Sequence, residues 1–162
     1  MIFVNKNKIL LYNKKKYKCS IGLNGLTDNK IEGDKKTPIG IYSLGELFVR
    51  TDRINNLKTK YKIISIEKDM AWSDDPNDLN YNKLIKIKNY HKECLFRKDN
   101  IYDLILVINY NTSPIIPNKG SAIFLHVSSN NYKPTSGCIA ININDFIEII
   151  ELLSPNEKIT IS

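Results

Sequence analysis

The chain has 162 residues, 42% apolar and 25% charged, the size and composition of one folded, water-soluble domain spanning 1–162, which excludes a disordered or fibrous chain. A formal charge of +7 raises nucleic acid as a partner. The cations are dispersed, mostly lysine and not interleaved with aromatic residues, so no nucleic acid is expected, and an acidic cell-wall polymer fits the charge equally well.

The N-terminal stretch MIFVNKNKILLYNKKKYK alternates in strand fashion at Ile2/Val4, Ile9/Leu11 and Tyr17/Cys19/Ile21, with NKKKYK reading as a hairpin tip. It has no continuous apolar h-region and no small-residue cleavage site, so nothing in it is expected to direct export. No later segment reaches eighteen uncharged apolar residues, and no integral membrane span is expected. In 22–44, Gly22, Gly25, Gly33 and Gly40 permit unusual backbone angles and Pro38 fixes its own, which predicts a shaped loop and then a strand from Ile39. No G-x-x-x-x-G-K-[ST] is present, so these glycines are read as structural.

From about 46 to 90 the pattern is irregular, with a strand-like run at 61–66 and a turn at DDPND, 74–78. Trp72, just before that turn, fits either a substrate wall or the core. His91 and Cys94 form H-x-x-C without a second ligand pair, so neither a metal nor another cofactor is expected. Arg97 is one of three arginines in a lysine-rich chain. Its planar guanidinium suits a substrate carboxylate or an ion pair with Glu93 or Asp99. Glu93, Leu95 and Arg97 read as one strand face.

Leu104 to Ile108 form a continuous apolar run, the mark of a strand buried on both faces. SAIFLHV, 121–127, is another strand, and CIAI, 138–141, begins a third or leads into a helix. Phe146, Ile149, Ile150 and Leu153 follow helical spacing, with Asn142 or Asn144 as cap and Pro155 as stop. KITIS closes as a short strand. The expected fold is mainly β, a β-rich α+β arrangement of sandwiched or mixed sheets with one C-terminal helix.

Cys19, Cys94 and Cys138 are odd in number with no C-x-x-C pattern, so a monomer, the expected state, keeps at least one free thiol. In LHVSSNNYKPTSGCIAI, 125–141, His126 precedes Cys138 by twelve residues. An imidazole beside a thiol lowers its pKa and makes it a nucleophile, and a turn at Gly137 would aim successive N–H groups at one point as an oxyanion hole. A buried, inert cysteine entering a core strand fits the same spacing.

The wider pattern resembles the L,D-transpeptidases with the YkuD-type catalytic domain. Phe124, His126, Pro134, Thr135, Gly137, Cys138, Ile139 and Ala140 match a branch written F-x-H, loop, P-T-x-G-C-I-A. GDKKTPIGIY at 33–42, ECLFRKDNIYD at 93–103 and INYN with GSAIFLH resemble further family elements, in order along nearly the whole chain. The resemblance implies a cysteine-dependent reaction on peptidoglycan tetrapeptide stems. Cys138 would attack the third residue's carbonyl and expel D-alanine, leaving a thioester. His126 would be the base, oriented by the carbonyl of Val127, and the N–H groups of Ser136, Gly137 and Cys138 would hold the oxyanion. Arg97, Thr135 and Trp72 are the candidate substrate contacts. An amine would resolve the thioester by transpeptidation, or water by carboxypeptidation; a non-catalytic wall-binding module is a further alternative. The resemblance also implies work in the cell envelope or periplasm. Ser136 and Ala140 depart from the commoner branch, which carries His and then Arg or Asn.

Overall fold

A computed structural model of the chain describes residues 1–87 and 93–162, so His91 of the H-x-x-C reading lies outside the described residues. Strand-forming side chains open the chain as β1 (Ile2–Val4), β2 (Ile9–Tyr12) and β3 (Lys15–Ser20). Asn13 and Lys14 both take positive φ between β2 and β3, the two-residue hairpin turn whose twist matches the strands. The hairpin tip is therefore these two residues, with the rest of NKKKYK paired in β3. The phase of β2 also differs from the alternation expected. Leu10 and Tyr12 are buried, not Ile9 and Leu11, because Leu10 stands opposite Val4 and Tyr17 and shares their inward face.

Next come β4 (Leu26–Thr27), β5 (Thr37–Pro38) and the long β6 (Gly40–Val49), followed by β7 (Ile63–Ser65), β8 (Met70–Trp72) and β9 (Leu84–Lys86). The stretch read as irregular thus supplies an edge strand on β6 and a separate β8–β9 pair. Residues 93–97 do not form a strand face; only Cys94 makes an isolated bridge to Ala71. The chain ends with β10 (Leu104–Ile108), β11 (Phe124–Val127), β12 (Ile139–Ile141), helix α1 (Ile143–Leu152) and β13 (Lys158–Ile161). Asn142 caps α1 by accepting the Asn144 N–H.

The expected mainly β fold with one C-terminal helix is what forms. Its nine-stranded mixed sheet runs β10-β11-β12-β3-β2-β1-β13-β6-β7, and a β6–β10 pairing closes it on itself as a barrel-like sheet. Alternation along β10 then builds two cores. Leu104, Leu106 and Ile108 join Phe146, Ile149 and Ile150 of α1 in the larger cluster. Ile105 and Val107 face the other way, onto Phe48, Trp72, Leu95, Tyr102 and Phe124. Cys138 belongs to this second cluster, so the nucleophile candidate rests on a packed apolar floor outside the main core. No helix among the described residues is long and apolar enough to cross a membrane.

Candidate active site

Strand register brings His126 and Cys138 together. β11 and β12 are parallel neighbours in which Leu125 pairs with Ile139 and His126 with Ala140. Side chains alternate faces along a strand, so Phe124 and His126 look the same way as Cys138 and Ala140. Residues 128–138 connect β11 to β12 and end on Cys138, two positions before Ala140, the strand partner of His126. Ala140 stands directly across from His126, and both residues line, with Cys138, a cleft of about 590 Å³.

The turn before Cys138 is held by groups that the sequence scatters over more than a hundred positions. Gly137 takes φ +146°, and a Cβ there would sit 2.9 Å from the Lys36 carbonyl oxygen, so the position requires glycine. Thr37, fully buried, accepts the Gly22 N–H and donates to the Gly137 carbonyl, both at 2.8 Å. A Cβ on Gly22 would meet the Lys35 carbonyl oxygen at 2.5 Å, so the two loops touch backbone to backbone. The G-D-K-K-T-P-I-G element is thereby given a physical purpose: it is the cradle of the cysteine loop. Asp34 shapes the cradle by accepting the Ile31 and Lys36 N–H groups and the Lys30 ammonium.

Thr135 lines the cleft, yet its hydroxyl is committed to the turn, accepting the Gly137 N–H at 3.1 Å and donating to the Cys138 carbonyl at 2.5 Å. Ser136 is exposed at the cleft mouth. The Val127 carbonyl lies 2.9 Å from His126 Nδ1. A carbonyl only accepts, so Nδ1 carries the proton and Nε2 is left as the basic nitrogen.

Burial sets the charge state of the pair. It pushes the Cys138 thiol up to about 12, against a lowering contribution from the Phe124 N–H that donates to Sγ. It pushes His126 down to about 4, against a raising contribution from its contact with Val127. The expected lowering of the thiol by the imidazole is therefore overturned. Desolvation is the largest cause for both groups and disfavours the charged form of each, so the resting pair is a neutral thiol and a neutral imidazole. The thiol donates to the Ala122 carbonyl at 3.1 Å.

Arg97 reaches the cleft and chelates Asp99 through Nε and Nη2 at 2.9 and 2.7 Å, with its guanidinium over the Tyr102 ring. Its loop is stapled from below, since Arg50 and Arg53 donate to the carbonyls of Arg97, Lys98 and Asp99. Trp72 is not on the cleft wall. It is buried edge-on against Phe48 and Phe124, and its indole N–H donates to Asn82 Oδ1, a floor position that withdraws it from substrate contact. That same Asn82 oxygen accepts the Ala122 N–H, so Trp72 bears on the site from below, through the segment carrying the thiol's acceptor and through Phe124, whose N–H donates to Cys138 Sγ.

Three cleft residues escaped the sequence reading. Lys30 is buried and ion-paired to Asp34 at 2.6 Å; its i,i+4 spacing to Asp34 was the available signal. Tyr102 packs edge-on against the His126 ring and donates to Glu93; it sits in the quoted E-x-L-x-R-x-D-x-x-Y-D element. Glu32 had no signal beyond its place beside Gly33.

The model of the L,D-transpeptidase catalytic domain, the YkuD family, matches residues 1–161. No curated protein matches the chain. Among solved structures, the helical cell shape determining protein Pgp2 from Campylobacter jejuni is similar at 17% identity with a TM-score of 0.49, over 99% of this chain and 46% of that one. A point mutant of Pgp2 gives 17% identity and a TM-score of 0.48 with the same coverage. The chain thus spans less than half of the protein in those structures. With the family model running along essentially its whole length, the chain belongs to the YkuD family of L,D-transpeptidase catalytic domains.

Proposed function

We propose that this domain is a cysteine acyltransferase acting on peptidoglycan tetrapeptide stems in the cell envelope, with Cys138 as nucleophile and His126 as base. The observation that carries the reading is the pairing of β11 with β12, which sets the two side chains on one face above a common cleft. As Sγ bonds to the carbonyl carbon of the stem's third residue, the thiol proton passes to His126 Nε2. The carbonyl oxygen becomes an oxyanion. Of the three N–H groups expected to hold it, that of Gly137 already donates to Thr135, which leaves those of Ser136 and Cys138. Collapse breaks the peptide bond, and the departing D-alanine amine takes the proton back from His126. An amine of a second stem then displaces the thiolate from the thioester; water in its place gives L,D-carboxypeptidation. Incubation with tetrapeptide muropeptides, alone and with acceptor stems, tests the reading by mass. Loss of D-alanine and a transient adduct on Cys138 are expected, and release without any adduct at that residue refutes the mechanism.

Two further outcomes follow from the electrostatics. Because the neutral imidazole is the active form and burial holds His126 near 4, kcat/KM should stay level from neutral pH down through 6 and fall only toward about 4. A midpoint near the ordinary histidine value of 6.5 would contradict this. The same depression means that stability conferred by the neutral ring is complete above 6.5 and is lost as pH falls toward 4, since the unfolded chain takes up the proton first. Arg97 is the proposed partner of the stem's terminal carboxylate. Arg97→Ala should raise KM by about tenfold with a smaller change in kcat, the pattern of lost uniform binding; steady-state kinetics with unchanged KM would assign Arg97 to its Asp99 pair alone.

A further inference from the structure

Glu32 is a charged group at the cleft that the proposed chemistry does not use. Its Oε2 accepts the Tyr81 hydroxyl at 2.5 Å and the Ser121 hydroxyl at 2.7 Å, and its Oε1 accepts the Gly33 N–H at 3.2 Å. Tyr81 and Ser121 are themselves buried, so the carboxylate is oriented by fixed donors from two other segments. None of these donors is charged, and Glu32 forms no ion pair with the described residues. The nearby ammonium of Lys30 is taken by Asp34 and the Ile31 carbonyl. A carboxylate oriented by neutral donors at the wall of a cleft is matched to a cation that enters the cleft.

Its place relative to the thiol says what enters. Ser121 holds Glu32, and the next residue, Ala122, accepts the Cys138 thiol at 3.1 Å. The carboxylate and the nucleophile hang on adjacent residues, whose Cα atoms lie about 3.8 Å apart, and both line one cleft. The segment between them is fixed from below: Gly120 N–H donates to the Tyr81 hydroxyl and Ala122 N–H to Asn82, with Gly120 and Ala122 both at positive φ. A cation carried on the side chain of the residue under attack enters the cleft that Glu32 and Cys138 share.

Resting on the Cys138 reading above, we propose that Glu32 is a specificity-determining residue whose carboxylate takes the side-chain ammonium of the diamino acid in the donor stem. The bracket of Tyr81 and Ser121 pre-sets the carboxylate, so the ammonium finds an oriented acceptor and a charge-assisted hydrogen bond forms at little ordering cost. A stem whose third side chain lacks the amine would leave that acceptor without its cation.

The test is a binding cycle in the Cys138→Ala background, which does not depend on turnover. Calorimetry compares a tetrapeptide carrying the diamino acid with one in which its side-chain amino group is replaced by hydrogen. Removal of the amine should raise Kd by about tenfold or more. Adding Glu32→Gln should raise Kd for the amine-bearing peptide by a similar factor and leave the other unchanged, so that the discrimination disappears. Tyr81→Phe keeps the carboxylate and removes one of its orienting donors, so it should erase only part of the discrimination; it also provides a second readout should Glu32→Gln melt early. Discrimination that survives Glu32→Gln overturns the proposal, as does equal binding of the two peptides by the parent. Equal binding of the two peptides by the Cys138→Ala protein, with an amine effect only on the joining of a second stem by the unmodified protein, would place the ammonium on the acceptor and also overturn it. Amine- and Glu32-dependent binding without D-alanine release by the unmodified protein would sink the acyl-transfer reading and leave this subsite standing.

Discussion

Cys138→Ala is expected to reduce D-alanine release from tetrapeptide stems by at least about 10³-fold, to the level of the protein-free reaction, with the fold intact. The thiol's two contacts, the Ala122 carbonyl it donates to and the Phe124 N–H it accepts, are weak sulfur bonds, so thermal unfolding should shift by little. His126→Ala should cost a comparable factor, because a thiol pushed up to about 12 by burial needs a base to take its proton during attack. Groups that act as a unit are not additive, and the double variant should be no slower than either single one. Release measured by mass on the three variants decides the matter. Multiplicative losses would mean that Cys138 and His126 serve separate steps, and residual turnover near the parent's rate would remove the cysteine from the mechanism altogether.

The burial of both members of that pair also explains what could and could not be read from the chain. That His126 and Cys138 line one cleft was foreshadowed by the apolar runs 121–127 and 138–141, whose strand character is evident, and by the wider family resemblance that singled out these two residue types. The two-sided burial of Leu104–Ile108 and a cap for α1 at Asn142 or Asn144 were legible for the same local reason: periodicity and capping act over a few residues, and the structure selects Asn142. The phase of β2 was not, since Leu10 faces inward through its neighbours Val4 and Tyr17 and not through any pattern of its own. Nor was the charge state of the site. Spacing alone fits either a catalytic pair or a buried, inert cysteine, and how much water surrounds the two groups depends on Phe124, Tyr102 and Trp72 closing the floor. Trp72 itself reads alike from sequence as wall or floor, and only the hydrogen bond to Asn82 settles which. Glu32 carried no signal because its significance comes from Tyr81 and Ser121, distant in sequence, arriving on one oxygen.

Thr37→Val should separate the cradle from the cysteine loop and cost both stability and turnover. Valine has nearly the shape of threonine, so packing survives, but the Gly22 N–H and the Gly137 carbonyl lose the hydroxyl that joins them at a fully buried position. Leaving two such groups unsatisfied costs about 2–4 kcal/mol. With the Gly137 carbonyl freed, the turn before Cys138 relaxes, and a displacement of about 1 Å at a reacting atom is enough to lower kcat on the order of 10²-fold. Thr37→Ser keeps the bridging oxygen and should recover most of kcat despite the lost methyl group. Gly137→Ala attacks the same joint from the other side: its backbone angle disfavours any Cβ by about 1–3 kcal/mol, before the 2.9 Å approach to the Lys36 carbonyl oxygen is relieved. Both variants should therefore melt earlier and turn over slowly at a temperature where they remain folded. A Thr37→Val protein that melts earlier yet keeps the parental kcat would show that the cradle braces the fold without aiming the nucleophile. The geometry favours the opposite result, because the atom Thr37 holds is the carbonyl of the residue immediately before Cys138.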